Sequence, residues 1–135
     1  MTEHIWVNRR APSLDDFEAM AADAFARLPA HFRERCEGLI IRVEDFPEDS
    51  VLDDLEAETP FDILGLYQGV SIAIRDSAPP IGPDMVFLYR RPMLDYWAEF
   101  ADTLGGLVTH VLVHEIGHHF GLSDSDMEAI EAAAS

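Results

Sequence analysis

The stretch from Leu104 to Phe120, "LGGLVTHVLVHEIGHHF", limits the possible folds of this chain more than any other segment. Its apolar side chains point in nearly every helical direction, and Gly121 follows where a left-handed residue closes a helix. Such a helix is not a surface element, so the rest of the chain has to cover it on more than one side. Yet the same seventeen residues hold Glu115, their only carboxylate, and four histidines at 110, 114, 118 and 119. A carboxylate buried without a partner is costly. Any fold must therefore both bury this helix and satisfy Glu115.

The remainder of the chain has the material to do so. Its 135 residues are 48% hydrophobic, enough for one domain spanning residues 1–135 with a real core. No apolar run reaches the roughly eighteen residues of a membrane helix. The opening "MTEHIWVNRRAP" lacks the apolar region of a secretory signal. Cys36 stands alone, which excludes an internal disulfide and fits a reducing compartment; the cytoplasm is the expected location. Twenty-six acids face nine bases, all arginine, for a net charge of −17. Between Arg42 and Arg75 there are nine acids and no base. Such a surface repels phosphate backbones and anionic lipid, so neither nucleic acid nor membrane is expected as a partner. The acids read first as a solvating face, and second as a preference for cationic or neutral substrates.

Local signals place the other elements. "SLDDFEAMAADAFARLP" is an amphipathic helix with Ser13 as its cap, acids in its first turn and Pro29 beyond its end. Leu14, Phe17, Ala21, Ala24 and Leu28 form its apolar stripe. "AHFRERC" predicts a short helix, "GLIIRVEDF" a strand, and "PEDSVLDDLEAE" a short exposed helix. "ILGLYQGVSIAI" reads as a strand pair or one bulged strand, "SAPPIGP" as a loop, and "DMVFLYR" as the best strand. A helix is expected from Pro92 through "MLDYWAEFAD", and a last one over "SDMEAIEAA" with Ser125 and Glu128 as a capping box. There is no internal repeat. The order implies an α+β fold, a small sheet with helices packed on it.

Within the long helix, residues four apart lie about 40° round and about 6 Å along from each other. His114 and His118 therefore project from one face and can place two imidazole nitrogens on one metal ion. Glu115, about 100° away, is poorly placed as a ligand but able to reach a water beside the metal. Zinc lowers the pKa of such a water toward neutrality, and a carboxylate takes its proton. Gly121 lets the chain double back and offer Asp124 as a third ligand, with Asp126 its rival. At roughly one in 20 per residue type, a chance H-E-x-x-H-x-x-G-x-x-D is rarer than about one in a thousand for a chain this short. The alternative, two packed core histidines and a surface acid, leaves Glu115 without a partner. His110, one turn before His114 on the same face, lines the cleft or supports a metal ligand, or else simply packs. His119, His31 and His4 are read as structural, and Cys36 as a small core residue.

The blocks "DILGLYQGV", "MVFLYRRPML" and "LVHEIGHHFGLSDSDM", in this order, resemble the minimal zincin-like metallopeptidases, a family of small bacterial proteins. The resemblance spans roughly residues 12 to 128. It implies a cut-down metzincin-like core, with a helix behind a small mixed sheet and the H-E-x-x-H helix beneath the sheet edge. It further implies one zinc ion per chain, His114, His118 and Asp124 as ligands, Glu115 as catalytic base, and peptide or protein as substrate. The chain departs from larger metzincins in having Asp where a third His is usual. It also has no separate Met-containing turn, Met127 lying close to the motif in sequence. Under this reading an extended peptide would lie along "DMVFLYR" as an edge strand. Tyr67 and Tyr89 are weighed as oxyanion donors against ordinary packing. Two rivals stand beside it. One is a non-catalytic zinc-binding or partner-binding module that keeps the fold. The other is a non-haem iron oxygenase, which also uses two His and one carboxylate, though the additional Glu argues against it.

Overall fold

The computed structural model of the protein describes residues 5–69, 84–100 and 103–134. Helix α1 covers Leu14–Ala26, and its start is a reciprocal cap: Asp16 N–H donates to Ser13 Oγ, and Ser13 N–H donates to the Asp16 carboxylate. Of the expected stripe, Phe17, Ala21, Ala24 and Leu28 are buried, while Leu14 at the helix start is exposed. A short α2, Ala30–Arg35, leads into strand β1, Ile40–Glu44. Helix α3, Asp49–Asp54, buries no residue, as its acid-rich sequence predicts. Strand β2 is Gly65–Gln68 and strand β3 is Met85–Tyr89. Helices α4 (Arg90–Glu99), α5 (Leu104–Phe120) and α6 (Asp124–Ala134) complete the order. The second half of "ILGLYQGVSIAI" and the "SAPPIGP" loop lie outside the described residues, as does His4.

The sheet is mixed. β3 pairs parallel with β1, Ile40 opposite Met85 through Glu44 opposite Tyr89, and antiparallel with β2, Gly65 opposite Leu88. β3 is thus the central strand of the order β1–β3–β2, which corrects the expectation that "DMVFLYR" is an edge. Both of its ladders are occupied, so a peptide cannot add to it. Its apolar run is the pattern of a strand buried on both faces rather than of an edge. Val86 and Leu88 are fully buried. α1 packs on β1 and on α5, and α5 packs on β2 and β3, so the two long helices share one face of the sheet. The apolar side chains of α5 lie within this core: Val108, Leu112, Val113 and Ile116 are all buried.

Two helix starts differ from expectation. α4 begins at Arg90 rather than Pro92; proline fits the first helical turn because its missing N–H has no partner there. Arg90 also ties three segments together, donating from Nε to Pro12 O at 2.6 Å and from Nη1 to Asp45 Oδ1 at 2.9 Å. α6 is capped by Ser123, not Ser125. The Ser123 hydroxyl accepts from Asp126 N–H at 3.3 Å, and its carbonyl accepts from Met127 N–H at 3.1 Å. Among the described residues no helix is long and apolar enough to cross a membrane.

Candidate active site

The site is built on the one open face of α5. Thr103 caps its start, accepting from Gly106 N–H at 3.2 Å, and Gly121 ends it at φ 69° and ψ 35°, the left-handed turn its lack of a Cβ allows. Between these ends every apolar side chain from Leu107 to Phe120 is buried, whereas His110 and His118 are exposed and His114 and Glu115 half-buried. His110, His114, Glu115 and His118 therefore share the open side of the helix, while His119 and Thr109 are buried. The rings of His110 and His114 meet tilted at 45° with centroids 4.4 Å apart, and His118 Nδ1 lies 3.4 Å from Glu115 Oε1.

Glu115 keeps only 13% of its side-chain surface exposed. Burial pushes its carboxyl above the usual range; the charge of His118 and a hydrogen bond from the Tyr67 backbone N–H act the other way. The carboxylate is therefore not unpartnered, and the sequence argument that only a metal and its water satisfy it does not hold. What brings Tyr67 to it is Gly65. A Cβ at Gly65 would lie 2.7 Å from Val111 Cγ1 and 3.2 Å from Glu115 Cγ, so the absent side chain lets β2 lie close over α5. Beside this contact opens a cavity of about 390 Å³, floored by Leu64, Leu107 and Val111 and bordered by His114, Glu115 and Asp62.

His110 lines that cavity. Its Nδ1 is held 2.7 Å from Glu131 Oε1 on α6, a partner that sequence spacing gave no means to find. His119 is buried and structural. Its Nδ1 lies 3.5 Å from both the Tyr67 hydroxyl and Asp84 Oδ2, and its Nε2 lies 3.4 Å from Arg35 O. Tyr67, whose hydroxyl also reaches Asp84 Oδ1 at 3.3 Å, thus has a packing role, and so has the buried Tyr89, whose hydroxyl burial pushes up to about 12. Neither tyrosine lines the cavity beside Glu115. Cys36 is buried with its thiol pushed up to about 11, as a core residue would be. Met127 packs directly over Gly117, leaving no space there for a Cβ. The Gly121 turn folds α6 back onto α5 and seats Met127 there.

A model of the zincin-like metallopeptidase family matches residues 36–134. The chain belongs to this family. The match begins at Cys36, so β1 to α6 carry the zincin-like core, and α1 and α2 precede it although the sequence resemblance reaches back to residue 12. A search among curated proteins found no match. The α+β fold, with α5 beneath the β2 edge of a small mixed sheet, agrees with the family.

Family membership implies zinc, and the donors on α5 fit it in kind: two imidazoles one turn apart on an open face, with a carboxylate drawn out of water beside them. The third donor is another matter. Among the described residues no group of three His, Cys, Asp or Glu side chains is arranged to hold a metal. Asp124 is the first residue of α6 and Asp126 follows two positions later; both are exposed, and neither is gathered with His114 and His118.

Proposed function

We propose that this zincin-like chain is a zinc-dependent peptidase, hydrolysing peptide bonds with Glu115 as general base and with one zinc held by His114, His118 and Asp124. The observation that carries the reading is the placement of Glu115, a carboxylate with only 13% of its side chain exposed, 3.4 Å from His118 on the open side of α5 and at the border of a cavity. When bound, zinc supplies Lewis acidity, lowering the pKa of a water and polarising a substrate carbonyl. Glu115 takes the proton from the attacking water and returns it to the departing amine nitrogen. The Tyr67 N–H restrains the carboxylate, and Leu107 and Val111 keep one side of it dry. The substrate is a peptide or protein; the charge of −17 speaks against nucleic acid and anionic membrane, and the lone Cys36 supports a cytoplasmic location.

A second reading, a zinc-binding module without turnover, is favoured by the exposed position of Asp124 and by the Glu115–His118 contact, which leaves the carboxylate already paired. Glu115→Gln separates the two. For a peptidase the variant keeps its zinc while hydrolysis of a broad peptide library falls by about 10²–10⁴-fold. A zinc-loaded parent protein that cleaves nothing in the library would establish the module instead.

A further inference from the structure

The cavity beside Glu115 has an apolar floor and a charged wall. At about 390 Å³ it stands at the small end of ligand pockets, which span roughly 300–1,000 Å³, and so suits one long side chain with its adjoining backbone. Leu64, Leu107 and Val111 supply apolar surface, and Asp62 stands at its wall. Asp62 is held in place by its own turn. Its Oδ2 accepts from Glu58 N–H at 2.9 Å and Thr59 N–H at 3.1 Å, and its Oδ1 accepts from the Thr59 hydroxyl at 2.9 Å. Those bonds, the Thr59 backbone N–H foremost, keep its carboxyl below the usual range, so the charge is permanent near neutrality. No basic residue lies between Arg42 and Arg75 in the sequence, and among the described residues none pairs with Asp62. A second cavity of about 370 Å³ adjoins the first, sharing Tyr96, Leu107 and His110, and its wall includes Glu131. The trough leading from the candidate base thus combines an apolar floor with carboxylates at its sides; among the described residues no arginine lines it, and its basic groups are His110 and His114.

We propose that this cavity accepts a lysine or arginine side chain of a peptide, its methylene stem on Leu64, Leu107 and Val111 and its cationic head at Asp62. The proposal rests on the peptidase reading of the same cleft and makes Asp62 a specificity-determining residue. Lys and Arg suit such a place because they bury an apolar stem while keeping a charged head near water. An acidic side chain is excluded by Asp62 and Glu115 together, and an aliphatic one gains the floor alone. With β3 paired on both sides, this trough also provides the substrate path that the central strand cannot.

The test measures binding, so that it does not depend on turnover. The full chain carrying Glu115→Gln is titrated with capped alanine pentapeptides bearing Arg, norleucine or Glu at the centre. Arg should bind about fivefold tighter than norleucine, the most that an exposed ion pair provides, and Glu should bind weakest. Adding Asp62→Asn should erase the gap between Arg and norleucine, and Asp62→Arg should make Glu the preferred residue. Asp53→Asn, an exposed acid on α3 away from the cavity, should alter none of the three affinities. Equal affinity for Arg and norleucine, no binding of any peptide, or an Arg preference that survives both Asp62 changes would overturn the proposal. Cleavage by the parent protein without preference for basic residues would overturn this inference and leave the peptidase reading standing. Arg-selective binding with no cleavage would do the reverse.

Discussion

At Asp124 two roles call for opposite responses to the same pair of substitutions. As a zinc ligand, Asp124→Asn keeps the shape but loses the charge and much of the donor strength, so zinc affinity should fall at least about tenfold. Asp124→His should restore part of it, imidazole being an equally good zinc donor. The structure removes one competing explanation, since the cap of α6 is Ser123 and not Asp124. Stability should then change by no more than the interaction of one charge with a helix N-terminus, about 0.3–1 kcal/mol. Zinc affinity by competition with a chromophoric chelator, and melting temperature for both variants, provide the check. Parent-like affinity in Asp124→Asn would remove Asp124 from the ligand set and move the same test to Asp126.

Between elements, the contact that matters most to the site is β2 over α5, and it depends on a missing side chain. Gly65→Ala places a methyl group 2.7 Å from Val111 Cγ1 and 3.1 Å from the Phe87 carbonyl oxygen, both on packed neighbours. The strand has to lift, at a cost of about 1–3 kcal/mol. The Tyr67 N–H would move away from Glu115 with it, so peptide hydrolysis should fall as well. Gly105→Ala is the matched control on α5, where a Cβ meets nothing within 4 Å. There alanine should stabilise the helix by up to about 1 kcal/mol and leave hydrolysis alone. Thermal melts and kcat/KM for the two variants decide it: a loss at Gly105 as large as at Gly65 would show that close approach is not what Gly65 provides.

For the molecule as a whole the dominant long-range term is self-repulsion. A net charge of −17 without one lysine disfavours the compact state, and the repulsion is screened beyond roughly 10 Å at 0.1 M salt. Raising sodium chloride from about 0.01 to 0.3 M, ranges over which the screening length shortens several-fold, should therefore raise the melting temperature by several degrees. Isolated surface ion pairs, such as Arg27–Asp23, respond in the opposite direction but contribute little. A melting temperature that is flat or falls with salt would mean that the acids are spaced widely enough not to repel, and that their role is solvation alone.

Much of the structure was legible locally. Helix α5 with its Gly121 stop, the Ser13 cap of α1, exposed α3 and the buried Cys36 all follow from periodicity, caps and polarity, signals that act within about one helical turn. The strip of His114, Glu115 and His118 was legible for the same reason, because residues three and four apart share a helix face whatever surrounds them. Other features depended on which distant segments came together. β3 is central because it pairs with β1 and β2 at once; its apolar run shows that it is buried but not which strands flank it. Ser123 rather than Ser125 caps α6: both hydroxyls suit a cap, and the path out of Gly121 that seats Met127 on Gly117 selects between them. Asp84 meets His119 across 35 positions, Glu131 meets His110 across 21, and Asp62 reaches the cavity by way of a turn of its own. The sequence determined the helix that carries the chemistry and the order of donors along it. Only the tertiary structure decided what surrounds Glu115, because burial and hydrogen bonding depend on atoms brought close in space from segments far apart in the chain.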